Sequence, residues 1–526
     1  MVQLPDDIWF EIARFIPEAE LTSLYGVNRC FFELALNLRY REVYLTHLTM
    51  HSIKLLEHLK DDYLSHRVRS LIVASHLILP LGCLPVRAIT PSQIEDQGTQ
   101  APPSLTIREK VTTLFRAIVS ISSFRIGQNE ANSQASRSAA PGLEEKSRRA
   151  ELAFILEETF QRLKNVQHFE LTWEKSLPGD PYDPPYPRIW QIFGGNLRNL
   201  TLYTTGDRLP HLLQSASALD GLQHFNLTLR SMSSSFDAAE KRAGNPSSLA
   251  AFLNRFGKTL ESLSLQGNFD LLFGDLGHLR RLKKLRLRIH MHRQDVPNAS
   301  SINRFLLLHA NEIEEFSLHQ TNCALISGHS FKGAPDLGLV NDIMHDVRFP
   351  RLASLDLQMG NDLDANPLLT LSSCAGKYLR NVSYHGRGLN STQLKYFIHG
   401  FAKEGAEVPL RCLRLDIDHF NVEVLDMLAH TFPSLYSLSL AVSHNEDLPG
   451  WAFAQILSGS FEGSPRYYLD WKLYDLSLSK KSRTLLLSDE FQAATIVARH
   501  IPTVQSFNGT GGMLPPWGAN RVEWAV

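Results

Sequence analysis

Residues 410–415 read LRCLRL, residues 435–440 LYSLSL and residues 473–478 LYDLSL. The same L-x-x-L-x-L spacing returns at Leu197, Leu260, Leu282 and Leu352, seven strict copies in 526 residues. With 82 leucines in the chain, random placement would give roughly two such copies, so the spacing is an internal repeat and not an effect of composition. Looser copies fall in phase at Val166, Leu222, Ile313, Leu379 and Val504, with an earlier one at Val68. From Val166 to Val504 the 338 residues divide into eleven intervals of about 31, a little above the leucine-rich-repeat range of about 20 to 29.

Between the copies the apolar spacing changes to that of a helix. Leu249, Phe252, Leu253 and Phe256 precede Leu260; Leu394, Phe397, Ile398 and Phe401 precede Leu410; Val424, Leu425 and Leu428 precede Leu435. A strand followed by a helix, repeated, makes an α/β solenoid. Strand side chains alternate, so the second and third apolar residues of each copy are expected to point inward and the residues between them outward on a concave face. No single unit can bury its apolar side, so neighbours must stack. The reading is a leucine-rich-repeat horseshoe of irregular β-α repeats over residues 166–526, closed by the C-terminal segment WGANRVEWAV. Residues 46–165 form a connector with an early repeat-like segment. Within it, residues 125–149 are polar and nearly devoid of large apolar side chains, and are expected to be a disordered loop. Helical spacing flanks that loop, at Val111, Leu114, Phe115 and Ile118 and at Leu152, Ile155, Leu156 and Phe160.

Composition restricts the function classes. Lys and Arg number 53 against 54 Asp and Glu, a formal net charge of −1, so no global basic field exists to hold nucleic acid or an anionic membrane. The five cysteines are dispersed and never form C-x-x-C, which points to reduced thiols in the cytoplasm or nucleus. The N-terminus is acidic within seven residues and lacks a secretory pattern, and the most apolar window, residues 71–86, is broken by two prolines.

Residues 1–45 stand apart from the repeats. Ile8, Ile12 and Phe15 fall on one helical face after Pro5, Leu21 and Leu24 open a second short helix, and Phe32, Leu34, Leu36 and Leu38 populate a third. About 40 residues in three helices make a marginal core, a deficit that an apolar surface docked on another protein would resolve. The segment resembles the F-box family: a Leu4-Pro5 opening, Asp7-Ile8, Ile12 one turn on, Leu21-x-x-Leu24-x-x-Val27-Asn28-Arg29 and an aromatic at Phe32. It departs mildly, with Asn28 where many members carry Cys or Ser and Phe32 where Trp is frequent. The phrase VNRCFFELALNLRYREVYL is particularly similar to fungal F-box segments followed by degenerate repeats.

The resemblance implies the substrate-recognition subunit of a Skp, cullin and F-box ubiquitin ligase. Leu4, Pro5, Ile8, Ile12, Leu21, Leu24 and Val27 would contact the Skp-type adaptor or shape the surface that does, and through the adaptor a cullin. Their alternative role is the three-helix core itself, which for Ile12 and Leu24 is at least as good a reading. The functional alternative is a non-degradative repeat scaffold. On either reading the chain is not an enzyme and needs no cofactor or metal, since ubiquitin transfer in this family belongs to other subunits.

The repeat face would hold an unknown protein substrate. Its candidate contacts are Arg286, Arg288 and His290, then Glu315, Asp356, Arg414 and Asp416, where basic residues beside acidic ones would clamp an acidic or phosphorylated segment. Local pairing on a solvated strand face is the more common outcome for such charges. The proline- and aromatic-rich insertion Trp173 to Trp190 suits a semi-rigid loop that contacts substrate or caps an edge. Gly257-Lys258-Thr259 lacks the upstream glycine of a phosphate loop, and His290-x-His292 lacks a third metal ligand.

Overall fold

A computed structural model of the chain describes residues 4–74, 154–173, 186–229, 246–291, 299–322, 339–359, 378–402, 409–443, 468–480 and 487–508, apart from 48, 207, 215, 268, 270 and 271, together with 368, 457–459 and 461. It divides into two compact units, Met1–Phe252 and Leu253–Val526.

The first unit opens with three helices: α1 (Asp6–Ala13), α2 (Glu18–Leu21), which continues as a 3₁₀ turn over Thr22–Leu24, and α3 (Arg29–Arg41). Pro5 and Pro17 sit at the N-cap positions of α1 and α2, where no N–H is required of them. Asn28 caps α3, its side chain accepting the Phe31 N–H at 2.9 Å. Asn28 is among the residue types that cap helices most strongly. Ala13, Leu21 and Phe31 form the small core, with Trp9, Ile16, Leu24, Leu34 and Leu38 packed against it. Phe31 fills the aromatic core position and Phe32 is exposed, while Phe15 follows α1 and lies in solvent.

Repeat strands follow at once. Strands β1 (Glu42–Leu45), β2 (Ser70–Ala74), β3 (His168–Thr172), β4 (Asn199–Thr204) and β5 (His224–Leu229) pair in chain order, each parallel to the next. In the second unit the same holds for β6 (Ser262–Gly267), β7 (Lys284–Met291), β8 (Glu315–Asn322), β9 (Ser354–Gln358), β10 (Asn381–Leu389), β11 (Cys412–Ile417), β12 (Ser437–Val442), β13 (Asp475–Lys480) and β14 (Ser506–Phe507). Each copy of the motif found in the sequence, strict or loose, starts a strand two residues after its first apolar position. The fourteenth strand, β1, uses Tyr40, Val43 and Leu45 in the same spacing, all buried, so the stack begins inside residues 1–45.

In-register apolar ladders hold the stack together. Leu413, Leu438 and Leu476 align across three strands, as do Leu415, Leu440 and Leu478, and all six are at most 2% exposed. Full burial of each such side chain contributes about 1.5 to 3 kcal/mol. Amphipathic helices return the chain between strands, among them Pro246–Arg255, Ser391–Ala402 and Val422–Thr431, the three whose spacing the sequence shows. A helix at 154–162 buries Ile155, Leu156 and Phe160. The expected helix around Val111 to Ile118, the loop at 125–149 and the C-terminal cap at 517–526 lie outside the described residues. Of the insertion Trp173 to Trp190, both tryptophans are buried; the Trp190 indole donates to the Leu212 carbonyl at 3.1 Å.

A partly buried charge network joins the front helices to the first repeats. The Arg67 side chain, 6% exposed, pairs with Glu33 of α3 at 2.5 Å, donates to Asn37 and to the Tyr63 carbonyl, and lies 4.3 Å from the Tyr63 ring centroid. Tyr63 in turn donates to the Glu33 carboxylate. That hydrogen bond, followed by Arg67, lowers the Glu33 pKa from its ordinary 4.5.

Candidate functional site

Two surfaces present chemistry. On the front helices, Leu4, Ile8, Ile12 and Val27 are 41%, 42%, 37% and 58% exposed, and Pro5 is exposed with them. Leu21 is in the core and Leu24 packs against it, so these two support the surface from beneath. Phe10, Tyr25 and Phe32 add exposed apolar area to this small module.

The second surface is the outward side of the second unit's strands. Parallel register sets residues from successive repeats in rows across the strands. Arg286, Ser317, Asp356, Ser383, Arg414, Ser439 and Ser477 form one row, which brings together three of the predicted contacts. The row beside it runs Lys284, Glu315, Ser354, Asn381, Cys412, Ser437 and Asp475. Small side chains dominate both rows from β9 onward, which leaves a groove of about 500 Å³ over β9 to β13, reaching Asn508 after β14.

Local pairing takes up most of the charges. Lys284 and Glu315 are 2.7 Å apart. Arg288 Nη2 donates to His319 Nδ1 at 3.2 Å, and since a guanidinium only donates, the ring carries its proton on Nε2, which donates to Asp356 Oδ2 at 2.6 Å. Ser317 Oγ donates to the same carboxylate oxygen at 3.1 Å. Burial would raise the Asp356 pKa, but hydrogen bonds from His319, Ser317 and Ser383 outweigh it and hold the group below its ordinary 3.8. Asp416, expected on the exposed face, is 3% exposed. Its carboxylate accepts the Gly386 N–H at 3.0 Å and lies 3.3 Å from His385 Nδ1, pinning the irregular end of β10. It is a structural residue because the irregularity after Tyr384 turns the Gly386 N–H toward it. His290 lies in β7 opposite Thr321, its side chain outside the described ones.

Arg286 and Arg414 are exposed and have no hydrogen-bond or acidic partner among the described residues. Arg414 lines the groove beside Cys412, whose thiol pKa is raised by burial and by the Asp475 carboxylate against a smaller opposing effect of Arg411. Asp475 accepts the Ser437 hydroxyl at 2.9 Å. Sequence reasoning missed the groove itself and the position just after the first leucine of each copy. Aligning the copies and reading down that column gives Ala353, Arg380, Arg411, Tyr436 and Tyr474, a signal present in the sequence from the start.

No protein-family model and no curated protein matches the chain. Among solved structures it is similar to a chain of the yeast Rad7 and Elc1 complex, at 14% identity and a TM-score of 0.27, covering 65% of this chain and 92% of that one. A likeness this slight assigns neither fold nor partner; the parallel repeat stack is seen in the strands themselves.

Proposed function

We propose that the chain is the non-catalytic substrate-recognition subunit of a Skp, cullin and F-box ubiquitin ligase, working in the cytoplasm, the nucleus or both. One observation carries the reading: the front-module positions that resemble adaptor contacts, Leu4, Pro5, Ile8, Ile12 and Val27, are left on the surface, while Ala13, Leu21 and Phe31 close the core. An apolar face kept outside a module of this size fits a helical partner better than solvent. The Arg67 and Glu33 network would hold that face fixed against the first repeats, and the polar strand face of the second unit would hold the substrate.

The reading is tested by capturing tagged full-length chain from a mixture of Skp-type adaptor, cullin and RING subunit. Wild-type chain should recover adaptor and cullin together, and an Ile8→Asp/Val27→Asp variant, confirmed as folded by circular dichroism, should recover neither. Folded wild-type chain that recovers no adaptor, with the adaptor active on another F-box protein, would leave the adaptor-independent repeat scaffold.

A further inference from the structure

Immediately before the groove-lining residues Asn381, Cys412, Ser437 and Asp475, backbone bonds fix a third row of residues, the rim of the groove. The Arg411 N–H donates to the Arg380 carbonyl at 2.7 Å, the Tyr436 N–H to Arg411 at 2.8 Å and the Tyr474 N–H to Tyr436 at 2.8 Å. Arg380, Arg411, Tyr436 and Tyr474 therefore stand on successive repeats. Earlier in the same row opposite charges pair, Lys283 with Glu314 at 3.4 Å. At Arg380 and Arg411 the row instead sets two cations side by side, an arrangement that costs stability. Neither has an acidic partner among the described residues, and neither has Arg414 within the groove. The groove's two carboxylates are engaged elsewhere, Asp356 by His319 and Ser317 and Asp475 by Ser437.

The tyrosines continue the rim as a flat ledge. Their rings stack with centroids 5.0 Å apart and planes 5° apart, yet remain 47% and 38% exposed. Unpaired arginines beside exposed tyrosines are the side chains that dominate binding energy at protein interfaces. From β9 to β13 is four strand spacings, about 19 Å, the length of about six residues of extended chain.

We propose that this rim and groove bind an extended anionic segment of a partner protein, its carboxylate or phosphate groups on Arg380, Arg411 and Arg414 and a flat ring on the Tyr436–Tyr474 ledge. The inference rests on the receptor reading and deepens it by naming the substrate class. Charge-assisted, bidentate hydrogen bonds from arginine suit either anion.

Fluorescence anisotropy with the full chain tests it, using labelled peptides of about ten residues, enough to span the groove. One alternates Glu and Ser around a central Trp, the second replaces Glu by Gln, and the third restores charge to the second with phosphoserine. At least one anionic peptide should bind about tenfold or more tightly than the neutral one, a difference of about 1.4 kcal/mol. Which of the two binds decides between carboxylate and phosphate. The Arg411→Glu/Arg414→Glu and Tyr436→Ser/Tyr474→Ser variants, checked for folding, should each weaken it about tenfold, and Lys395→Glu, exposed on the return helix Ser391–Ala402, should leave it unchanged. Equal binding of the neutral peptide, binding of neither anionic peptide, or an equal loss in Lys395→Glu would overturn the proposal. Adaptor capture on the same preparations separates the two readings: anionic peptide bound without adaptor removes the receptor and keeps the site, and adaptor captured without peptide does the reverse.

Discussion

Truncating Leu440 to Ala should weaken the repeat stack locally and by a large amount. Leu440 is fully buried and flanked in register by Leu415 on one strand and Leu478 on the other. Both neighbours are pinned by backbone pairing, so the cavity cannot collapse, and the loss belongs in the upper part of the leucine-to-alanine range, about 3 to 5 kcal/mol. In a stack each repeat is coupled mainly to its neighbours, so the loss should concentrate in β11 to β13. Hydrogen exchange read by mass spectrometry gives the local value: amides of these strands should exchange about a hundredfold faster or more, and those of β6 to β8 at the wild-type rate. Ser439→Ala, one residue away on the outward side, should change stability by less than about 0.5 kcal/mol. A loss spread evenly over the second unit, or an equal loss in Ser439→Ala, would refute the inward and outward assignment and the nearest-neighbour coupling.

Gly388→Ala should destabilise by about 1 to 3 kcal/mol, because a Cβ there would meet the Ile417 carbonyl carbon at 2.7 Å; chemical denaturation checks it, and an unchanged midpoint would contradict the close approach of β10 and β11. His309 is fully buried, its Nδ1–H donating to Phe305 at 2.7 Å and its Nε2 accepting the Leu279 N–H at 2.8 Å. Burial lowers its pKa from the ordinary 6.5; the unfolded chain therefore binds the proton first, and stability present above about pH 6.5 should be lost progressively as pH falls toward the folded value. His309→Gln should flatten the decline in melting temperature below pH 6.5, and an identical slope in the variant would contradict the buried neutral imidazole. Arg67→Ala removes a charge-assisted hydrogen bond from the half-buried Glu33 and should cost about 1.5 to 2 kcal/mol, with faster exchange in α3 and β1; unchanged protection there would show that the network holds nothing.

The repeat was legible because two signals agree at each copy, the apolar triplet and the helical spacing before it. Strand β1 escaped because Tyr40 stands where leucine is expected, and an aromatic fills that buried position equally well. The front helices were legible in outline, but whether Phe31 or Phe32 entered the core depended on the rotation of α3, which its Asn28 cap fixes. Less of the site could be read. Arg286, Asp356 and Arg414 lie 70 and 58 residues apart in sequence and meet only through register. Asp416 looked exposed by alternation, a rule that fails where the Gly386 and Gly388 bulge breaks the ladder. The pairing of Arg288 through His319 to Asp356 spans three strands, and periodicity on a single strand carries no trace of it.

The measurement that bears most directly on the account is titration calorimetry of the full chain with a purified Skp-type adaptor, repeated with Ile8→Asp and with Arg286→Glu. Both substitutions fall on exposed residues and should leave the melting temperature near wild type. One adaptor should bind per chain, with binding retained in Arg286→Glu and weakened at least about tenfold in Ile8→Asp. Binding that Ile8→Asp leaves intact, or none by folded wild-type chain, would contradict the assignment of the front helices.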